Sequence, residues 1–318
     1  MVGPLFDEAP PFDRAGLAAR LKELASRGIF IGGSSWKYEG WLGQIYSRER
    51  YLARGRFSQT AFQAECLREY AETFPTVCGD FAFYQFPSDD FWRKLFARVP
   101  SGFHFAFKAP EEITCRVFPT HPRYGPRGGM KNEMFLNQRA ISELFLRPLM
   151  AYREKAALVI FEFGSMRMGG SAESTRAEFV ERLDPFLASL PPEFRYGVEV
   201  RNPEFLAPDY FECLRTHNTA HVYNAWSRMP ELRHQLAMPA SATADFLVCR
   251  GLLRRGRVYE EAVKAFSPYT ELKDINQEAR DSMRILIGRA KEDKRMLFLF
   301  VNNRLEGNAP LTILSLVE

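Results

Sequence analysis

Several features are scarce in this 318-residue sequence, and each absence excludes a class of protein. The five cysteines are an odd number and form no CxxC pair, which argues against a disulfide framework and a structural zinc site. No apolar stretch approaches the roughly 18 residues that a membrane span requires, so we expect no membrane association. The first residues contain acids and prolines instead of a basic segment followed by an apolar run, so a cytoplasmic location is expected.

The sequence also has a small net charge and few histidines. The net charge of +4 is too small to mark a nucleic-acid binder by itself. None of the five histidines ends an apolar run, where a metal ligand in an α/β fold is expected. We therefore predict no bound metal and no cofactor, and no sequence pattern indicates an oligomeric state.

What the chain does contain is a series of eight short apolar runs, each ending in a polar or charged residue. Most intervals between them carry a helical pattern, and alternating strands and helices are typical of a parallel sheet built from βαβ units. Eight units predict an α/β fold of the closed (β/α)8 TIM-type barrel class. The runs cover 29–36, 79–86, 103–108, 157–163, 195–201, 220–226, 246–250 and 296–303.

A barrel needs about 250 residues, so the sequence predicts a single domain with an N-terminal helical extension. The extension would cover 1–28 and the barrel 29–318. Asp13 is predicted to cap the first helix, which should plug or flank the barrel. Further helices are predicted over 58–73, 88–98 (behind Ser88 as N-cap), 133–155, 173–189, 207–216 and 276–292, whereas 227–243 and 254–275 are interpreted as loops.

Alternation of side chains along the runs sorts the polar residues by face. Lys108, Glu199 and Arg201 lie on the strand faces opposite to the apolar residues. The apolar faces should meet the helices, so these three charged side chains are predicted to point into the barrel. Active sites of such barrels lie where the strands end, and buried charges are costly unless paired, which predicts an ion-pair network at the mouth. The other runs contribute Asp80, Tyr84, Glu162, Asn224, Arg250, and Asn302 or Asn303 to this inward set.

The segment GGSSWKYEGW at the end of the first run suggests a different kind of contact. Its glycines permit close backbone approach, Ser35 supplies a hydroxyl, and Trp36 with Tyr38 and Trp41 would form an aromatic wall for a sugar ring or base. The competing interpretation is that these aromatic rings cover the rim of the barrel.

Basic residues concentrate after the third and seventh runs. Barrels often bind phosphate near their last two strands, where 305–310 would add backbone N–H groups. A solvated surface is the competing interpretation for the arginines other than Arg250, whose position at a strand end favours the site. The basic residues are Arg116, Arg123, Arg127 and Lys131 in the first group, and Arg250, Arg254, Arg255 and Arg257 in the second.

Several motifs resemble those of the YecE-like family, also called domain of unknown function 72, a bacterial and archaeal family of unassigned function. GGSSWKYEGW is similar to its G-(T/S)-S-G-W-x-Y-x-x-W, FYQFPS to F-Y-x-x-P-S, GFHFAFKAPEEIT to G-F-x-F-x-x-K-x-P-x-x-I-T, VEVRNPEF to V-E-x-R-x-x-x-W, and VNNRLEGNAP to F-N-N-D-x-x-G-x-A. The resemblance covers about 29–310 and implies a (β/α)8 barrel. It also implies interest in Ser35, Trp36, Tyr84, Lys108, Glu199, Arg201, Arg250, Asn302 and Asn303.

The sequence also departs from the family motifs. Two histidines of the family fall on Cys115 and Leu252, an acidic residue falls on Cys78, and the aspartate of N-N-D falls on Arg304. These losses weaken a metal or acid–base role for this branch. The glutamine expected on the fourth strand is Glu162, the aspartate expected on the sixth strand is Asn224, and the asparagine two residues after Cys78 is Asp80.

The favoured interpretation is an enzyme, a hydrolase or lyase, that acts on a phosphorylated or other anionic small molecule at the barrel mouth. Lys108, Glu199 and Tyr84 are its catalytic candidates. Its substrate-binding candidates are Ser35, Trp36, Arg201, Asn224, Arg250, Asn302 and Asn303.

Three other functions stay open. The first is a non-catalytic barrel that binds single-stranded nucleic acid or an anionic metabolite through the basic loops and aromatic rings. The second is a metal-dependent barrel of endonuclease or isomerase type. The third is a glycosidase that would use Glu162 and Glu199 as its two carboxyl groups. The nearby cations argue against it, because they would lower the pKa of the carboxyl that acts as general acid, whereas that pKa needs to be raised.

Overall fold

A computed structural model describes residues 12–166 and 171–318 of the chain. Eight parallel strands form a closed ring in which each pairs with its neighbours in chain order, and the first pairs with both the second and the last. The predicted (β/α)8 barrel is confirmed. Its strands are β1 (Ile29–Gly33), β4 (Thr76–Gly79), β5 (His104–Lys108), β6 (Ala156–Phe163), β7 (Arg195–Val200), β8 (Ala220–Ala225), β9 (Phe246–Gly251) and β10 (Met296–Val301), while β2 (Leu52–Ala53) and β3 (Arg56–Phe57) form a separate hairpin.

Helices follow the strands around the barrel. Asp13 and Ser88 cap the first and third of them through hydrogen bonds from Gly16 N–H and Phe91 N–H, as their sequence positions predict. None of the helices in the described part of the chain is long and apolar enough to span a membrane. They are α1 (Arg14–Ser26), α2 (Gln59–Tyr70), α3 (Asp89–Phe96), α4 (Glu111–Thr114), α5 (Gln138–Ile141), α6 (Arg147–Leu149), α7 (Ala172–Ala188), α8 (Pro208–Thr216), α9 (Leu232–Ala237), α10 (Tyr259–Phe266), α11 (Gln277–Glu292), α12 (Asn303–Glu306) and α13 (Ala309–Val317).

Two apolar cores result from the alternation of side chains along the strands. Helix α1 belongs to the outer core, where it buries Leu17, Leu21 and Leu24 and packs against β1 and α13, so it flanks the barrel. The inner core fills the barrel below its mouth with Phe30, Cys78, Ala106, Leu158, Ile160, Val222, Val248, Phe298 and Phe300.

The second strand differs from its prediction. The sequence places a strand over 79–86, but β4 ends at Gly79, and Phe81–Phe83 forms a short 3-10 helix. The reason is the side chain of Phe81, which turns into the outer core and packs 5.6 Å from Trp36 and 5.7 Å from Phe107, measured between ring centroids. Phe81 therefore serves the packing of the helical layer instead of prolonging the strand.

The two segments interpreted as loops, 227–243 and 254–275, were predicted wrongly, because each contains a helix. Helix α9 is held by Gln235, whose amide accepts a hydrogen bond from Asn224 N–H at 3.1 Å and donates one to Asn224 C=O at 2.8 Å. Helix α10 buries Ala262 and Phe266 in a small cluster with residues that follow β9. Both helices are short and depend on contacts distant in sequence, which outweigh weak local propensity.

The helix predicted over 133–155 also begins later. Asn137 accepts a hydrogen bond from Ala140 N–H and so starts the helical segment at Gln138. The segment then passes through a π-helical turn, Ser142–Leu146, before α6. Residues before this cap make turns instead: the side chain of Asn132 donates to the carbonyl groups of Glu112 and Cys115.

Closure of the ring depends on a close approach between β1 and β4. An ideal Cβ on Gly32 would lie 2.0 Å from the carbonyl oxygen of Thr76, a backbone atom that has no freedom to move aside. We expect Gly32→Ala to lower the free energy of unfolding by about 3 kcal/mol, since overpacking a well-packed core costs about that much. The measurement is the midpoint of thermal or denaturant unfolding.

Gly288 in α11 supplies the matched control, because an added Cβ there meets nothing within 4 Å. Gly288→Ala should raise the free energy of unfolding by about 1 kcal/mol, the helix-propensity difference between the two residues. Equal effects of the two substitutions on the free energy of unfolding would show that closure of the ring does not depend on the close approach of β1 to β4.

Candidate functional site

The register between β6 and β7 sets two carboxylates side by side. Glu162 and Glu199 are partners in this parallel pairing, and both point into the mouth of the barrel. Neighbouring strands are about 4.8 Å apart, and like charges placed opposite each other destabilise a sheet. The fold therefore requires cations at this point.

Three cations, one each from the ends of three different strands, meet these carboxylates. Arg250 Nη1 lies 2.6 Å from Glu162 Oε2 and also donates to Glu199 Oε2. Arg201 Nη2 lies 2.6 Å from Glu199 Oε1 and 3.2 Å from Glu162 Oε2. Lys108 Nζ lies 3.3 Å from Glu162 Oε1. We call these five residues the mouth cluster; it contains three positive and two negative groups.

Burial strengthens the attraction between the charged groups of the mouth cluster, because little water reaches them to screen it. The side chain of Glu199 is 0% exposed and that of Glu162 is 16% exposed. Burial alone would raise the pKa of the Glu162 carboxyl, but Lys108, Arg201 and Arg250 together hold that pKa well below its usual value. Glu162 is thus a carboxylate at neutral pH and does not suit the role of a general acid, which a glycosidase would need.

Aromatic rings cover two of the three cations of the mouth cluster. Lys108 Nζ lies 3.7 Å from the ring centroid of Phe83, and the guanidinium carbon of Arg201 lies 4.0 Å from that of Trp226. Cation–π contacts of this kind stabilise a desolvated positive charge. Neither ring was singled out from the sequence, although Trp226 is the last residue of the sixth apolar run.

Some polar atoms of the mouth have no hydrogen-bond partner within the described residues. They are Arg201 Nη1, Arg250 Nε and Asn224 Oδ1, on residues that are at most 6% exposed. Glu199 Oε1 also makes no hydrogen bond, although its charge is paired with Arg201 Nη2 at 2.6 Å. Asn224 nevertheless uses its amide nitrogen, which lies 3.3 Å from the carbonyl oxygens of both Val200 and Val222. Leaving a buried polar group unpaired costs about 1–3 kcal/mol, so each of these atoms favours a partner from outside the chain.

Four further candidates lie outside the mouth cluster. The inward orientation predicted for Tyr84 is wrong: its side chain is 59% exposed on the rim, with the guanidinium of Arg123 5.0 Å from its ring, because β4 ends before it. Trp36 is buried in the outer core and Trp41 is fully buried, so they do not form an open aromatic wall. Ser35 is half-buried just beyond β1.

The two asparagines after β10 have structural contacts. Asn302 Oδ1 accepts the N–H of Arg304 and caps α12. Asn303 Oδ1 accepts hydrogen bonds from Trp41 Nε1 at 3.2 Å and Ala309 N–H at 2.8 Å. Hydrogen bonds within the chain also argue against the phosphate site predicted at 305–310. The backbone N–H groups of Gly307 and Ala309 already donate to Asn303.

Local ion pairs balance the basic loop after β5 and only part of the charge of the loop after β9. Arg254 and Arg257 both contact the carboxylate of Asp274. After β5, the pairs are Arg116 with Glu178, Arg123 with Glu111, Arg127 with Glu112, and Lys131 with Glu133. In the described ranges, no three or more His, Cys, Asp or Glu side chains are grouped so that they could hold a metal ion.

A comparison with protein families agrees with the barrel and its motifs. The sequence profile of the family described as "Protein of unknown function DUF72" matches residues 30–318. The chain belongs to the DUF72 family. YecE-like is another name for the same family, so the resemblance of the strand-end motifs is confirmed.

Solved DUF72 structures share the fold. A DUF72 family protein from Thermotoga maritima MSB8 is 18% identical, with a TM-score of 0.62 over 91% of this chain and 97% of that chain. A DUF72 family protein from Enterococcus faecalis V583 is 17% identical, with a TM-score of 0.60 over 91% and 95%. Among proteins with curated descriptions, none matches this sequence. At these identities the structural similarity concerns the fold of the DUF72 chain and not its activity.

The lowered pKa of Glu162 has a consequence for stability in acid. A carboxyl whose pKa is depressed by folding stabilises the protein above its unfolded pKa, about 4.3, and loses that contribution as the pH falls through its folded pKa. We expect Glu162→Gln to lower the free energy of unfolding by about 2 kcal/mol at pH 7 and by progressively less below pH 4. Denaturant unfolding of both proteins across this pH range measures the difference.

Glu143→Gln is the matched control, because Glu143 pairs with Arg147 on an outer helix and its side chain is 52% exposed. This control should change stability little at any pH. A constant difference between the native protein and Glu162→Gln from pH 7 to pH 3 would contradict the assigned direction of the pKa.

Proposed function

We propose that the mouth cluster of this DUF72 protein binds a small organic anion. The observation that carries the proposal is an excess of one buried cation over the buried carboxylates, together with the unpartnered N–H groups Arg201 Nη1 and Arg250 Nε. A buried positive excess is costly by itself, and an anionic ligand would both balance the charge and accept those hydrogen bonds.

The surroundings of the mouth cluster suit the rest of such a ligand. Trp226, whose ring lies against Arg201, also lines a cavity of about 250 Å³ between the loops after β8 and β9 and the start of α11. Apolar and charged side chains both line this cavity: Met229, Leu232 and Ile275 supply apolar atoms, and Glu231, Arg254, Arg255 and Glu278 supply two charges of each sign.

A hydrolase or lyase reaction on the bound anion is the catalytic form of the proposal. Lys108 would neutralise negative charge that develops on the substrate, because it contacts only one carboxylate and a ring face. Glu199 is better assigned as a positioning residue, since its two oxygens face Arg201 and Arg250. The exposed position of Tyr84 on the rim removes support for a catalytic role there.

Lys108→Met gives a clean test, because it leaves two arginines facing two glutamates and so creates no unpaired carboxylate. The purified protein is screened by thermal shift against carboxylated and phosphorylated metabolites, and hits are titrated by calorimetry. We expect Lys108→Met to weaken binding of each hit by about tenfold, the effect of losing one close charge in a partly shielded site.

Lys131→Met is the control, since Lys131 is 69% exposed on a loop and pairs with Glu133. It should bind every hit like the native protein. The proposal fails when no anion in the screen shifts the melting temperature, or when Lys108→Met binds the hits unchanged. Salt-dependent binding of single-stranded nucleic acid that survives Lys108→Met, and is lost in Arg254→Ala/Arg255→Ala, would instead favour the nucleic-acid alternative.

A further inference from the structure

Glu162 has a different position in the mouth cluster from Glu199. All three cations contact its carboxylate, with distances of 3.3 Å from Lys108 Nζ, 3.2 Å from Arg201 Nη2 and 2.6 Å from Arg250 Nη1. Glu199 contacts the two arginines alone and is fully buried. Glu162 is therefore the more exposed of the two carboxylates of the mouth cluster, and it already occupies the point where the three positive charges converge.

Resting on the proposed anion binding, we propose that Glu162 limits the ligand to a single negative charge, so that the site takes a monoanion such as a carboxylate in preference to a phosphate dianion. With Glu162 in place, Lys108, Arg201 and Arg250 face two carboxylates and retain a surplus of one positive charge. A monoanion balances this surplus, whereas a dianion would leave one negative charge buried without a counter-ion.

The physical reason is the different dependence of two energies on the ligand's charge. Attraction to the surplus charge grows in proportion to the ligand's charge, but the Born cost of removing the ligand from water grows with its square. A small surplus therefore favours a small charge. Replacement of Glu162 by an uncharged residue would double the surplus and move the preference towards a dianion.

Other groups near the mouth do not change this balance. Asp80 and Arg304 have opposite charges, and both act electrostatically on Tyr38 at the rim. Arg123, which also reaches the rim, is paired with Glu111 at 2.6 Å. Burial raises the pKa of the Cys78 thiol to about 11, so this neighbour of the cluster is uncharged at neutral pH.

The experiment compares two tetrahedral anions of similar size, methanesulfonate with one negative charge and sulfate with two, and adds acetate as a carboxylate. Each is titrated by calorimetry at constant ionic strength into the native protein and into Glu162→Gln. Glu143→Gln is the control, because its exposed carboxylate pairs with Arg147 outside the barrel. Circular dichroism checks that each variant folds.

In the native protein we expect methanesulfonate and acetate to bind more tightly than sulfate. Removal of the Glu162 charge should strengthen methanesulfonate binding about tenfold and sulfate binding about a hundredfold, because the Coulomb energy lost doubles with the ligand's charge. Glu143→Gln should leave all three affinities unchanged. The order of affinities in the native protein decides the proposal even if Glu162→Gln does not fold.

Two results would overturn the inference, and they are distinguishable. Tighter binding of sulfate than of methanesulfonate by the native protein, or an unchanged ratio of the two affinities in Glu162→Gln, would show that Glu162 does not set the ligand's charge while anion binding itself stands. No binding of any of the three anions by either protein would overturn the proposed function and this inference together.

Discussion

The pairing of β6 with β7 imposes a constraint on which the mouth of this barrel depends. It sets Glu162 beside Glu199 at the distance of neighbouring strands, inside a region where water cannot screen their repulsion. Lys108 on β5, Arg201 just beyond β7 and Arg250 on β9 bring compensating charge from both sides. The closed ring brings the ends of these strands to one point, where the charges contact one another.

Aromatic residues complete this arrangement. Phe83 and Trp226 cover Lys108 and Arg201, and each ring belongs to the segment that follows a strand and not to the strand itself. The basic loop after β5 carries its own acidic partners, whereas Arg254 and Arg257 after β9 share the single carboxylate of Asp274. Inside the mouth, three cations face two carboxylates, which leaves a buried surplus of one positive charge.

The sequence predicted the strands and their inward residues well, because alternation along a strand is a local property. Lys108, Glu199 and Arg250 were assigned to the mouth on this basis, and the structure brings them together. Tyr84 was misplaced because the end of β4 depends on the packing of Phe81. The functional roles of Lys108, Glu199 and Arg250 stay predictions.

Taken by itself, the sequence determined the number of strands, the faces of their side chains and the residue types at their ends. The tertiary structure decided which cation contacts which carboxylate, that Asn303 binds Trp41 instead of lining an open site, and that Phe83 and Trp226 cover the charges. The division has a physical cause. Periodicity follows from the geometry of a few consecutive residues, whereas these contacts join residues far apart in the chain, and their distances are set only when the barrel closes and its loops pack.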